Sequence, residues 1–202
     1  MLNKYSDNVY VINLDRRTDR LKSFDDISKL VGFEYTRYSA IDGNDIIYDD
    51  ITDPRLRFNR YAKALCLTVK KLLIEALSEN LDNLIICEDD VNFDMNRINQ
   101  NIIIPNKYDV FYFGTTHSEP YRKISENVAQ VRISFSCQCM MINKNIFEKL
   151  ISVLDENLPL DLIITKYIQS NNNCYSVYPN IAHQDSGISD IEGGYLDTNF
   201  TR

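Results

Sequence analysis

Apolar residues along the chain fall alternately into strand-length runs and helical spacings. Residues 9–14, Val-Tyr-Val-Ile-Asn-Leu, form a β-branched and aromatic run that predicts a buried strand. Next, Thr18 or Asp19 is placed to cap a helix carrying Leu21, Phe24, Ile27, Ser28, Leu30 and Val31, which Gly32 ends. Residues 33–40 read as a second strand, closed by a turn at Asp42-Gly43. Residues 45–57 are polar and irregular and contain Pro54. A long helix is expected over 61–80, where Ala62, Leu65, Leu72, Leu73, Ala76 and Leu77 recur at three- and four-residue spacing. Residues 84–87 are a third strand that runs straight into three acids, and 109–114 a fourth. Residues 128–133 and 136–142 read as a hairpin or as paired strands. Helices follow over 144–154 and 159–169, the second with Pro159 near its start, then a strand over 174–178 and a polar tail over 183–194. This alternation predicts an α/β sheet with helices on both faces. Ligands on such sheets lie beyond the carboxyl ends of strands. The ends in question are Leu14-Asp15, Ala40 to Asp42, Cys87 to Asp90 and Phe113 to Thr115.

A length of 202 residues fits one domain, expected to span 1–202, and it needs no disulfide staples to fold. The net charge of −7 repels phosphate backbones, so nucleic acid is not expected as a partner. No apolar run approaches the roughly 18 residues of a membrane helix. The start of the chain carries no signal-peptide core. Five cysteines without CxxC spacing argue against a disulfide framework and against structural zinc. They read as reduced thiols used as small apolar residues, which places the chain in a reducing, cytoplasmic compartment.

The sharpest chemical feature is Glu88-Asp89-Asp90, three carboxylates at the end of an apolar strand. They repel one another unless a cation or hydrogen-bond donors neutralise them. Residues 88 and 90 point to the same side of an extended chain and can face one ion. Oxygen ligands favour Mg²⁺ or Mn²⁺, which share their coordination with substrate phosphates. A solvated acidic turn is the plainer alternative. Arg16, Arg17 and Arg20 follow the first strand, where guanidinium forks suit a phosphate or diphosphate. Salt bridges with Asp15, Asp19 and Asp26 are the competing use. His183, in the polar tail, is a candidate metal ligand or pH-sensitive contact. Asp161 lies beside a proline-marked helix start, where capping is its default role. No Ser-His-Asp or Cys-His nucleophile arrangement is legible. With 6 glycines and neither GxGxxG nor a Walker loop, dinucleotide and P-loop chemistry find no support.

Taken together, these segments resemble glycosyltransferase family 25, the lipopolysaccharide and procollagen sugar transferases. Residues 9–21, Val-Tyr-Val-Ile-Asn-Leu-Asp-Arg-Arg-Thr-Asp-Arg-Leu, are similar to its opening block. Ala40-Ile41-Asp42-Gly43, Ile85 to Val91 and Ser189-Asp190-Ile191 are similar to its second, acidic and closing motifs, in family order. The resemblance implies a GT-A-type mixed sheet flanked by helices, a UDP-sugar donor, Mn²⁺ (or Mg²⁺), and transfer with inversion. It also implies roles. Asn13, Asp15, Arg16, Arg20, Asp42 and Asp89 would hold the nucleotide diphosphate. Glu88 and Asp90, with His183 as third ligand, would hold the metal. Where the family carries Ser-His before the acidic motif, this chain has Thr68-Val69. The end of the chain soon after Ile191 is expected of a compact version or of one domain of a longer protein.

The implied mechanism is a single displacement in which a base takes a proton from an acceptor hydroxyl on a glycan, a lipid-linked sugar or a protein. Asp161 is the expected base, with Glu192 and Asp185 as rivals. Two other classes remain open: an inactive nucleotide-sugar-binding or scaffold protein, for which Val69 is the hint, and a metal-dependent phosphohydrolase.

Overall fold

The computed structural model describes residues 1–46, 59–117, 122–191 and 193–198. Most of the expected polar stretch over 45–57 therefore lies outside the described residues. An eight-stranded mixed sheet organises the chain, in the order β2-β1-β3-β8-β5-β9-β7-β6. The strands are β1 (Val9–Asn13), β2 (Thr36–Ser39), β3 (Asn83–Glu88), β5 (Val110–His117), β6 (Arg122–Lys123), β7 (Val128–Gln130), β8 (Ser134–Asn143) and β9 (Cys174–Val177). A short strand β4 (Val91–Phe93) pairs with β10 (Ala182–Gln184), and β11 (Gly187–Ile188) pairs with β12 (Tyr195–Leu196). β1 runs parallel to β2 and β3, and β5 parallel to β9, whereas β8 runs antiparallel to both β3 and β5. The carboxyl ends of β1, β2, β3 and β5 therefore share one edge with the start of β8.

Strand pleating sends alternate side chains to two cores. Ile12, Leu84, Ile86, Tyr112, Met140 and Ile142 face α2 (Arg60–Ser78), α3 (Phe147–Val153) and α4 (Leu160–Ile164). Val11, Ile85, Cys87, Phe111, Phe113 and Met141 face α1 (Thr18–Val31) through Phe24 and Val31. Helices thus cover both faces, as the alternation of elements predicts. All five cysteines are free and buried within these cores.

Local chemistry explains most element ends. Gly32 closes α1 in the left-handed region at φ +75, its N–H bonding Ser28 O at 2.8 Å. Asn59 caps α2 by accepting from the backbone N–H groups of Tyr61 and Ala62. Two expectations need correction. α1 is not capped by Thr18 or Asp19: its N-cap is Arg17, without a side-chain capping bond, because the Asp19 carboxylate is engaged by the Arg17 guanidinium. Residues 128–133 and 136–142 do not pair with each other either. β7 pairs with β6 and β9, while β8, apolar on both faces, inserts between β3 and β5.

β10 lies directly on β5. Ile181 N bonds Phe113 O at 3.0 Å, and the Asn180 amide donates to Thr115 O at 2.8 Å. A Cβ at Gly114 would stand 1.9 Å from Ala182 O, so only glycine allows this approach. Gly114→Ala is expected to destabilise the protein by about 1–3 kcal/mol. Gly187→Ala, where nothing lies within 4 Å, should stay within about 0.5 kcal/mol of the parent. Denaturant midpoints compare the two, and equal midpoints would mean that residues 180–182 do not cross β5 here.

Candidate functional site

The carboxyl ends of β1, β2 and β3 open onto one cleft with a cavity volume of about 90 Å³. Ile12, Leu14, Ala40 and Ile41 come from the first two strand ends, and Glu88 and Asp89 from the third. Tyr61, Ala64 and Leu65 of α2 form an apolar wall, and Arg20, Asp190 and Ile191 close the rim.

The acids are neutralised by groups from both ends of the chain. Asp89, which is buried, accepts from the Asn13 amide at 2.7 Å and from Arg20 Nη1 at 2.8 Å. Arg20 Nη1 also lies 3.1 Å from Asp90 Oδ2, which accepts from the Gln184 amide at 3.1 Å. Asp90 Oδ1 is buried with no hydrogen-bond partner. Burial and the neighbouring Asp90, Asp89 and Asp161 charges push the Glu88 carboxyl up to about 8, with Arg20 opposing. Burial likewise raises Asp90, again against Arg20.

The other arginines are paired as well. Arg16 bonds Asp42 Oδ2 at 2.8 Å and Asp190 Oδ1 at 2.7 Å, and Arg17 pairs with Asp190 Oδ2 and with Asp19. Asp42 accepts from Asn44 N at 2.9 Å, and that bond, with Arg16, holds its carboxyl below the usual range. Asn13 is held from every side: its amide also donates to Arg17 O at 3.0 Å, and its carbonyl accepts from Arg37 Nε at 3.0 Å. Asp15, largely exposed, pairs with Arg37 and accepts from Ser39 at 2.8 Å, outside the cleft lining.

Asp161, at the start of α4, is close enough to raise the Glu88 carboxyl. Its Oδ1 accepts from Leu162 N at 2.8 Å. His183 Nε2 lies 3.9 Å from Asp185 Oδ1, and Asp185 accepts from the Asn92 amide at 3.0 Å. A tail side chain that reaches Asp90 is Gln184, the neighbour of His183 on β10. Glu192 lies outside the described residues.

Tyr61, Gln184 and the joining role of Thr68 were not legible as site features. The buried Thr68 hydroxyl donates to Ala64 O at 2.8 Å and accepts from Ile41 N at 3.0 Å, tying α2 to the turn that carries Asp42. The β-branched Thr68 beside the apolar Val69 marks that helix face as buried, but not its partner.

Residues 6–178 match the family described as "Glycosyltransferase family 25 (LPS biosynthesis protein)". The chain belongs to glycosyltransferase family 25. Among relatives of this family member is a "Glycosyltransferase 25 family member" of Drosophila pseudoobscura pseudoobscura, 22% identical over 152 residues. That match takes in 64% of this chain and 24% of the relative, so the chain spans about a quarter of its length. Two solved structures overlap it with TM-scores below 0.5. One is a glycosyltransferase involved in glycosylation of the major capsid of PBCV-1, at 7% identity over 84% of this chain and 80% of that one, with a TM-score of 0.47. The other is a Drosophila beta-1,4-galactosyltransferase 7 mutant in complex with manganese, UDP-Gal and xylobiose. It is 13% identical over 70% of this chain and 50% of that one, with a TM-score of 0.37. Family membership rests on the sequence match. No helix of the described residues is long and apolar enough to cross a membrane.

The raised Glu88 carboxyl sets a pH dependence for this family 25 chain. Between its ordinary value of 4.5 and about 8, the folded state holds a proton that the unfolded state has lost. Stability therefore falls as pH rises through that window and levels off above it. Glu88→Gln should melt higher than the parent at pH 8.5, by about 1 kcal/mol or more, or roughly 2–4 °C, with the gap narrowing toward pH 5. Thermal melts in chelator at both pH values check this; a gap independent of pH would mean that Glu88 is ionised throughout.

Proposed function

We propose that this chain transfers a sugar from a UDP-sugar donor to an acceptor hydroxyl, by a metal-dependent single displacement with inversion. The observation that carries the reading is the convergence of Glu88, Asp89 and Arg20 on one cleft of a family 25 chain, with Asp90 bonded to the same Arg20 guanidinium.

A divalent cation fits the oxygen donors present. Asp90 Oδ1 is a buried acceptor without a partner, which a cation would satisfy. Glu88, kept protonated by burial and by its acidic neighbours, would ionise beside a positive ion. Among the described residues no group of three or more His, Cys, Asp or Glu is gathered as a complete metal-holding set. Glu88 and Asp90 would therefore hold Mn²⁺ or Mg²⁺ together with donor oxygens, the common sharing for such ions. His183 is the further candidate ligand. When bound, the ion supplies Lewis-acid neutralisation of the departing diphosphate.

The chain's own residues supply the remaining steps. Arg16 and Arg20 bind diphosphate oxygens and offset charge on the leaving group. Asp42 and Asp89 keep these guanidiniums on the cleft, with Asn13 fixing Asp89. Asp15, beside Arg37, would contact the nucleotide only at the outer edge. Asp161 takes the proton of an acceptor hydroxyl on a glycan, a lipid-linked sugar or a protein, and the oxygen attacks the anomeric carbon as UDP departs. The choice is supported by the place of Asp161 at the start of α4, from which its charge helps to raise the Glu88 carboxyl.

Three outcomes separate the classes when the protein is incubated with UDP-sugars, with and without Mn²⁺. Sugar on an acceptor supports the transferase, binding without turnover a scaffold, and free phosphate a hydrolase. UDP affinity by calorimetry is expected to be higher with Mn²⁺ than in chelator; equal affinity in both would overturn the metal bridge. Asp161→Asn should lower kcat by roughly 10²–10⁴-fold with UDP affinity nearly unchanged. If Asp161 is only a helix-start carboxylate, the same variant keeps wild-type kcat, and Asp185 becomes the next base to test.

A further inference from the structure

We infer that Asp190 acts as an internal stand-in for the donor's phosphate: its carboxylate fills the anion seat formed by Arg16 and Arg17, and donor binding must displace it together with the β11–β12 ribbon. This rests on the reading of the cleft as a nucleotide-sugar site.

The seat is built by three guanidiniums. Arg16 Nη1 contacts Asp190 Oδ1 at 2.7 Å, Arg17 Nη1 contacts Oδ2, and Arg20 Nη1 stands 3.9 Å from Oδ2. Carboxylates and phosphates present similar oxygen pairs to guanidinium forks, so one seat takes either. A diphosphate brings more charge and more acceptor oxygens than one carboxylate. Arg17 and Asp190 are each only 18% exposed, so their pairing is partly shielded from water and from salt.

The segment bearing Asp190 is suited to release. Among the described residues β11 and β12 pair only with each other, through Gly187–Leu196 and Ile188–Tyr195. A lone two-stranded ribbon is marginal in water. Its Ile188 and Tyr195 side chains are 68% and 74% exposed, so apolar burial contributes little to its position. Polar anchors hold it instead: Asp190 on the arginines, Ile188 O on Arg20 Nη2 at 2.7 Å, and Ile191 O on the Asn59 amide at 2.8 Å. Two of these anchors use arginines expected to meet the diphosphate. Asp190 and Ile191 also line the cleft, so their departure widens it where the donor enters.

The sign of one substitution separates this inference from a supporting role. If Asp190 merely orients the arginines, Asp190→Asn weakens anion binding. If it competes with the anion, the same change strengthens it. Calorimetry with inorganic pyrophosphate in chelator reads the arginine seat without metal or sugar. Asp190→Asn is expected to bind pyrophosphate roughly fivefold tighter or more than the parent, a gain that an added Arg17→Gln abolishes. Unchanged or weaker binding, or no pyrophosphate binding by either protein, overturns the inference. Should Asp190→Asn not fold, hydrogen exchange on the parent protein decides. Faster exchange over residues 187–191 and 193–196 on adding pyrophosphate supports displacement, and slower or unchanged exchange overturns it. The transferase reading stands or falls separately, on turnover of UDP-sugars by the parent protein.

Discussion

Three adjacent carboxylates at the end of a buried strand impose the central constraint on this molecule. Glu88, Asp89 and Asp90 cannot all ionise in one partly enclosed place unless positive charge is brought to them. Arg20 does this for Asp89 and Asp90 at once, with the Asn13 and Gln184 amides filling further acceptor positions. Glu88, left without such a partner, holds its proton instead. Much of the surrounding architecture serves this arrangement. β1 and β3 run parallel and adjacent, so Asn13 ends beside Asp89. α1 starts immediately beyond β1 and places Arg20 one turn into the helix.

The same constraint orders the periphery. β10 is held against β5 by the absence of a side chain at Gly114, and that contact carries Gln184 to Asp90. Thr68 couples α2 to the turn bearing Asp42, and Asp42 in turn aligns Arg16. A chain of short polar contacts thus runs from the long helix through the arginines to the acids. Apart from the exposed Arg16, its members are half-buried or buried, and electrostatic interactions there are stronger than at an open surface.

Elements with strong local periodicity were legible from the sequence: β1, β3 and α2 lie within one or two residues of the expected bounds, β5 runs three residues past its expected end, and the acids stand at a strand end as their apolar lead-in implies. The candidate site was legible where it is local, in Arg16, Arg20, Asp42 and the triplet. It was not legible where it depends on pairing between distant segments. Arg17 and Asp190 are 173 positions apart, and no periodicity announces that they meet. The central position of β8 was missed for a related reason. Its apolar run fits a hairpin as well as a central strand, and only the competition among strands for neighbours decides. The α1 cap was misread because a carboxylate beside an arginine has two partners available, and local pattern does not rank them.

The long separation within the Arg16, Arg17 and Asp190 cluster also bears on how the chain is made. Within this chain the arginines precede Asp89 and Asp90 by some seventy residues, and Asp190 is the last of the group to be made. Until then Arg17 has Asp19 and Arg16 has Asp42, but neither has its Asp190 partner. Contacts of such separation close slowly, because the intervening chain must be ordered first. An anionic ligand or polyanion met by the nascent chain would find the Asp190 side of those arginines open, whereas in the completed fold it is already paired.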